Sequence, residues 1–194
     1  MLIKKNIFFY LFLFIILNNF IFNKCIEGNC KNGFGTLKDK NGSIYVGNFE
    51  DKKFEGLGTY TWVDKTFYKG NFSKGLRNGN GYFEIINGLT FQGEFKNDNY
   101  YKGLMIFPNG NSYYGDFDNG HFNGDGIFKT SAGEIYTGQF KNGSRNGEGI
   151  LNNVDGSNYK GFFKDGLFHG KGIFTSPDNK VISGEFEKGK IKLN

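Results

Sequence analysis

Two histidines, two cysteines and 19 acidic side chains are the groups in this 194-residue chain whose types could do chemistry. A histidine can act as a general base and a cysteine as a nucleophile, but each needs partners within reach. His121 and His169 both stand in the turn ahead of a Gly-x-Gly pair, Gly124-Asp125-Gly126 and Gly170-Lys171-Gly172, and no serine or cysteine shares a local motif with either. Cys25 and Cys30 have no histidine nearby, and two thiols do not complete a tetrahedral metal set. The carboxylates are spread as solvated groups are, with no marked pair of the kind that acid–base catalysis needs. The Gly-x-Gly pairs lead into another strand pattern and not into a helix N-terminus, so they are not phosphate cradles. The chemistry-bearing residues therefore read as a non-enzyme without cofactor or metal.

The elements that must position these residues repeat. A Tyr-x-Gly-x-Phe phrase appears as Tyr45-Val46-Gly47-Asn48-Phe49 and recurs around Gly70, Gly93, Gly115, Gly138, Gly161 and Gly184. Successive central glycines lie 23 residues apart at every step but Gly93 to Gly115, where the step is 22. Two more glycines follow most phrases, as in Gly56 and Gly58 or Gly147 and Gly149, with an apolar residue two places later: Tyr60, Phe83, Met105, Phe128, Leu151, Phe174. Both stretches alternate with period two, which predicts strands. Asn-Gly and Asp-Gly pairs such as Asn87-Gly88, Asn142-Gly143 and Asp155-Gly156 stand between them and suit tight turns. Each repeat thus reads as one β-hairpin, and a fixed period of this kind means units that stack to bury a face.

Alternation places Tyr45, Gly47 and Phe49 on one face together with Gly56, Gly58 and Tyr60 of the next strand. Glycine at this density weakens a strand unless aromatic rings lie over it. The opposite face carries Asn48, Asn71, Glu94, Asp116 and Gln139, with an apolar column at Ile127, Ile150 and Ile173.

The pattern Tyr136-x-Gly138-x-Phe140-x-x-Gly143-x-x-x-Gly147-x-Gly149, closed by Gly156, resembles the MORN repeat, and the resemblance spans roughly residues 33 to 189. It implies an all-β fold: an elongated, single-layer antiparallel meander of about seven stacked hairpins, found in scaffolds, junction proteins and targeting modules. Two departures stand out. Tyr101 occupies the place of the first glycine in the shortened repeat, and Lys65 and Asn179 replace turn glycines. About 14 or 15 strands at roughly 4.8 Å each make a ribbon about 65 to 70 Å long.

Residues 1 to 24 lie outside the repeat. Lys4 and Lys5 precede an apolar run at residues 7 to 17, broken by Asn18 and Asn19, which is the layout of a signal peptide, with an uncleaved signal anchor as the second reading. Residues 25 to 32 read as a linker or cap, 33 to 189 as the repeat domain, and 190 to 194 as a basic tail. The formal charge is +5, but without Lys4, Lys5 and Lys24 it falls to 21 cationic against 19 acidic residues, no footprint for nucleic acid. Lysines without a polybasic cluster give weak support to a lipid partner. In an oxidising compartment Cys25 and Cys30 are a candidate disulfide; cleavage after Cys25 would instead leave Cys30 free. Three sequons begin at Asn41, Asn71 and Asn142, a number that an asparagine-rich chain reaches by chance.

The functional reading is a non-catalytic scaffold or adaptor in the secretory route, secreted or membrane-associated, with protein partners or a second copy of itself. Peripheral lipid binding, targeting of an enzyme on another chain, and carbohydrate or cell-surface binding are the alternatives. The irregular repeat supplies the candidate contact residues. Leu104-Met105-Ile106-Phe107 is apolar on both faces, Tyr100 and Tyr101 add rings, and Tyr114 stands where sister repeats carry Lys69, Gln92 and Lys160.

Overall fold

The computed structural model describes residues 24 to 192. Its strands are β1 (Lys24–Gly28), β2 (Gly33–Lys38), β3 (Ile44–Glu50), β4 (Lys53–Thr61), β5 (Phe67–Ser73), β6 (Leu76–Glu84), β7 (Thr90–Lys96), β8 (Asn99–Ile106), β9 (Ser112–Asp118), β10 (His121–Lys129), β11 (Ile135–Lys141), β12 (Ser144–Asn152), β13 (Asn158–Lys164), β14 (Leu167–Thr175), β15 (Val181–Glu187) and β16 (Lys190–Ile191). They form a single 16-stranded sheet in chain order, a meander of antiparallel neighbours. Both ends extend beyond the expected repeats. Lys24 and Cys25 pair with Lys38 and Leu37, so the segment read as a leader's end and linker contributes β1. Lys190 and Ile191 pair with Glu187 and Phe186, so the tail contributes β16. The leader sequence itself, residues 1 to 23, lies outside the described residues.

Two kinds of turn alternate along the ribbon. From β3 onward, between an odd strand and the following even one, two residues both take positive φ, as in Asn142 (50°) and Gly143 (77°), the geometry that matches the twist of a hairpin. Between an even strand and the next odd one the turn is wider: Asp39 N–H donates to Ser43 O at 3.0 Å, Gly42 N–H to Asp39 O at 3.1 Å, and Gly42 alone sits at positive φ (91°). Lys65 and Asn179 take this same position at φ 73° and 62°. The strands after them keep full register, Thr61 opposite Phe67 and Thr175 opposite Val181. Loss of the turn glycine therefore leaves pairing intact.

The two glycines of each Gly-x-Gly pair do different jobs, although alternation puts them on one face. Gly58 pairs with Gly47, whereas the next pair in this hairpin is Glu55 with Asn48, so Gly56 and Leu57 bulge out of the ladder between β3 and β4. Gly56 has φ 63°, a backbone state that costs a residue with a Cβ about 1 kcal/mol or more. On its other side β4 pairs with β5 without a break, from Gly56 opposite Phe72 to Thr61 opposite Phe67. A bulge on the same side of every even strand from β4 to β14 bends each of them in one sense. Gly58 belongs instead to a row of glycines, one from each strand from β1 to β15, in direct register across the whole sheet from Gly28 to Gly184.

Tyrosine rings cover that row. A Cβ added at Gly58 would lie 2.6 Å from both Cε2 and Cζ of Tyr45, so only hydrogen fits beneath the ring. Tyr45 stacks on Phe54 with centroids 3.8 Å apart and meets Phe49 and Phe72 edge-on at 5.1 and 5.2 Å. Tyr113 and Tyr159 rebuild the same cage with Phe122 and Phe168. Each hydroxyl donates to the carbonyl three residues on, for example Tyr136 to Gln139 O at 2.9 Å, so the only polar atom of the ring is satisfied. These tyrosines are fully buried, because each ring lies between the glycine row and a stacked phenylalanine with further rings at its edges. Edge contacts to the next repeat's phenylalanine make the stack continuous.

In two repeats an arginine replaces the stacking phenylalanine. The Arg77 guanidinium lies 5.7 Å from the Tyr68 ring centroid and 5.0 Å from that of Phe95. Its Nε is 3.2 Å from Asp98 Oδ1, and its Nη2 donates to Asp98 O at 2.7 Å. Arg145 sits likewise 5.6 Å from the Tyr136 centroid, with Glu134 at 3.6 Å. The cation–π contact and the ion pair together let a charge occupy an aromatic site.

Candidate protein-contact surface

The irregular repeat differs from its sisters in the bulge. In β8, Lys102 pairs with Glu94 and Tyr100 with Phe95, leaving Tyr101 as one extra residue where β4 has two. The missing residue is therefore a bulge residue, and the position that required positive φ is gone. That is why a tyrosine can stand where a glycine is expected.

The shorter bulge sorts the sequence-predicted contact residues. Tyr100 turns inward, its ring 4.4 Å from Phe91 and 5.4 Å from Phe95, in the place held by Phe54 in the sister repeat. Burial pushes its hydroxyl pKa up to about 12, opposed by the Arg77 charge. Tyr100 thus packs, partly buried, against the core and not on the outer face with Leu104 and Tyr114. Tyr101 is exposed, with the Lys96 ammonium 5.4 Å from its ring centroid. Leu104 faces Gln92 on one side and Tyr114 on the other, and Tyr114 in turn faces Ile127. Ile106 lies between Thr90 and Ser112.

On the outer face, then, Leu104, Tyr114 and Ile127 form one row across three strands, with Ile106 in the adjoining row. Tyr114 is 52% exposed and Ile106 41%, so nothing in the chain's described residues covers them. The row on the other side carries Lys102, whose Nζ is 3.0 Å from Asp116 Oδ1; the hydrogen bond to this carboxylate is the main reason the Lys102 pKa is raised. An apolar strip beside a paired cation and anion can receive an extended chain: rings and aliphatics for its side chains, both charge signs for its backbone dipoles. Ile127 belongs to this strip although sequence reading assigned it only to the general apolar column. Its neighbour Tyr114 was the available signal, but the pairing needed the register.

The other singled-out residues lie elsewhere. Cys25 and Cys30 are joined by a disulfide, S–S 2.04 Å. A Cβ at Gly35 would meet Cys30 Sγ at 3.0 Å, so this sulfur covers the glycine row at its first strands as tyrosines do further on. His169 lines an open hollow of about 610 Å³ with Ser144, Phe162 and Asp165. No hydrogen bond joins Ser144, Asp165 and His169, so the hollow brings these types together without an activating contact. Among the described residues no group of three or more His, Cys, Asp or Glu side chains could hold a metal.

The MORN repeat family model matches residues 45–67, 68–90, 136–158 and 159–181. This chain is a MORN-repeat protein. The matched MORN units are the regular ones; the stretch between them contains the shortened bulge. Among solved structures, the sheet is similar to the SAS-4 (dCPAP) TCP domain of Drosophila melanogaster, solved in complex with a proline-rich motif of Ana2 (dSTIL), with a TM-score of 0.51 and 10% identity over 84% of this chain and 89% of that one. The TCP10 domain of Danio rerio CPAP also matches, with a TM-score of 0.39 and 14% identity over 79% of this chain and 68% of that one. The first likeness is one of fold.

Proposed function

We propose that this MORN-repeat protein is a non-catalytic protein-binding scaffold of the secretory route or the cell exterior, and that it receives an extended segment of another protein on the outer face of β8 and β9. One observation carries the reading: Leu104, Tyr114 and Ile127 are three apolar neighbours in succession, whereas the other apolar residues of the same row, Val46, Tyr82, Ile150 and Ile173, each stand alone between polar neighbours such as Thr59, Lys69, Gln92, Thr137 and Lys160. Apolar groups without an interior to enter mark contact surfaces. The similar SAS-4 domain was solved with a proline-rich motif, and exposed tyrosines such as Tyr101 and Tyr114 offer flat rings of the type on which such segments dock.

A photo-crosslinking side chain placed at position 114, and separately at position 160, tests this in the native cell. Adducts with protein at 114 but not at 160, lost when Ile106→Lys is added, are the expected result. Adducts with lipid, or adducts equal at both positions, overturn it. A product twice the chain's own mass assigns the strip to self-association instead.

A further inference from the structure

We infer that Asn41 and Asn142 carry N-linked glycans and that Asn71, the third sequon, does not. The inference rests on the secretory placement proposed above and goes beyond it to particular atoms. The structure separates three triplets that look alike in sequence.

Asn41 is exposed in the wide turn between β2 and β3; its backbone N–H donates to Asp39 Oδ1 at 2.8 Å, and its carboxamide engages no partner. Asn142 is exposed as the first residue of the tight turn between β11 and β12, and its carboxamide is likewise unengaged. The two turns project from opposite long edges of the ribbon, since wide turns line one edge and tight turns the other. A glycan at either point extends into solvent and leaves both faces of the sheet clear.

Asn71 is different. It lies within β5, half-buried, and its Nδ2 donates to Asn80 O across the bulge at 3.1 Å. Its Cβ would stand 3.3 Å from a Cβ at the bulge residue Gly79, so the side chain lies over the bulge. Gln139 holds the corresponding place in β11, where its Oε1 accepts from Glu148 N–H at 3.1 Å. The Asn71 carboxamide is therefore a structural latch, and a glycan there would remove its hydrogen bond and force the bulge open.

Two features point to a compartment where the transfer occurs. The Cys25–Cys30 disulfide is what an oxidising lumen produces. Lys4 and Lys5 ahead of the apolar run orient residues 25 to 194 towards the lumen whether the run is cleaved or retained. The co-reactant is a lipid diphosphate-linked oligosaccharide. Asn Nδ2 forms a bond to its anomeric carbon as the anomeric C–O bond breaks, the lipid diphosphate leaves with the electron pair, and Nδ2 loses one proton.

Translation of the full chain in the presence of microsomes, with protease protection and endoglycosidase digestion, tests the assignment. The expected product is protected and carries two endoglycosidase-sensitive steps of mass. Asn41→Gln and Asn142→Gln each remove one step, and Asn71→Gln removes none. A protected chain without glycans, or a step lost with Asn71→Gln, overturns this inference and leaves the secretory placement standing. A chain left open to protease overturns both.

Discussion

Glycine carries two separate constraints in this protein, one of space and one of backbone angle, and single substitutions distinguish them. At Gly138 a Cβ would meet Gly149 Cα and Glu148 O at 2.5 Å and the Tyr136 hydroxyl at 2.7 Å, two of which are backbone and cannot move aside. Gly138→Val is expected to cost about 1–3 kcal/mol, as overpacking does. Because each ring cage reaches only the next repeat, hydrogen exchange should rise around residues 113 to 172 and stay low near Gly47; a uniform rise would contradict nearest-neighbour stacking. At Gly156 nothing lies within 4 Å of an added Cβ, and only φ of 87° constrains the site. Asn179 already occupies the equivalent turn position, so Gly156→Asn should shift thermal stability by well under the Gly138→Val change. The arginine sites give a second test at this scale. Arg77→Ala strands the mostly buried Asp98 and should cost about 3 kcal/mol. Arg77→Phe with Asp98→Gly restores the pair used at β10, Phe122 with Gly143, whose N–H donates to Phe122 O at 2.9 Å as that of Asp98 does to Arg77 O, and should be at least as stable as the native chain in denaturant titration.

At the scale of the element, the even strands decide the shape. Their two-residue bulge lets one strand serve a bent ladder on one side and a regular ladder on the other. β8 has only one bulge residue, and its pairing with β9 runs from Lys102 opposite Asp116 to Ile106 opposite Ser112, without the further pair that joins Gly56 to Phe72 in β4 and β5. This seam is predicted to be the first to open. The amides of β8 from Lys102 to Ile106 should exchange faster than those of β4 from Gly58 to Thr61. Equal protection would show that the aromatic contacts of Tyr100 compensate for the lost pair. Insertion of a glycine after Tyr100 should rebuild the two-residue bulge and raise protection of the seam.

The whole molecule has one continuous aromatic core, and that makes its pH response collective. Burial raises the hydroxyl pKa of Tyr100 and Tyr136 from 10.0 to about 12, and raises those of Tyr45, Tyr60, Tyr68 and Tyr113 as well. The folded state thus holds protons that the unfolded chain gives up near pH 10, so unfolding becomes easier as pH rises. Stability is complete below about pH 10 and is lost steeply between there and about pH 12. Far-ultraviolet circular dichroism and phenolate absorbance should change together over that range. Phenolate appearing gradually while the sheet signal holds would mean that the rings ionise in place.

The period, the strands, the places of the turns and the aromatic face were legible in the sequence because each is set within a few residues: alternation, Asn-Gly pairs and the spacing of Tyr45 from Gly47 and Phe49. The two kinds of turn were not, since Asn87-Gly88 and Asp155-Gly156 read like Asn142-Gly143 and yet only their glycines take positive φ. The family resemblance rested on the same local signals, and so did the placing of Ile106 and Tyr114 on the outer face. What alternation could not supply was the parity of a strand across a bulge. Counting back from Gly103 by twos puts Tyr101 inside and Tyr100 outside, whereas the one-residue bulge reverses them, so Tyr100 joins the core and Tyr101 meets solvent. The same blindness gave Gly56 and Gly58 one role where they have two. Only the pairing between strands reveals which residues drop out of a ladder, because that depends on the partner strand's length and not on the residue itself. The burial of Tyr45, Tyr113 and Tyr159 follows from it, since the strand beyond each bulge returns Phe54, Phe122 and Phe168 over those rings.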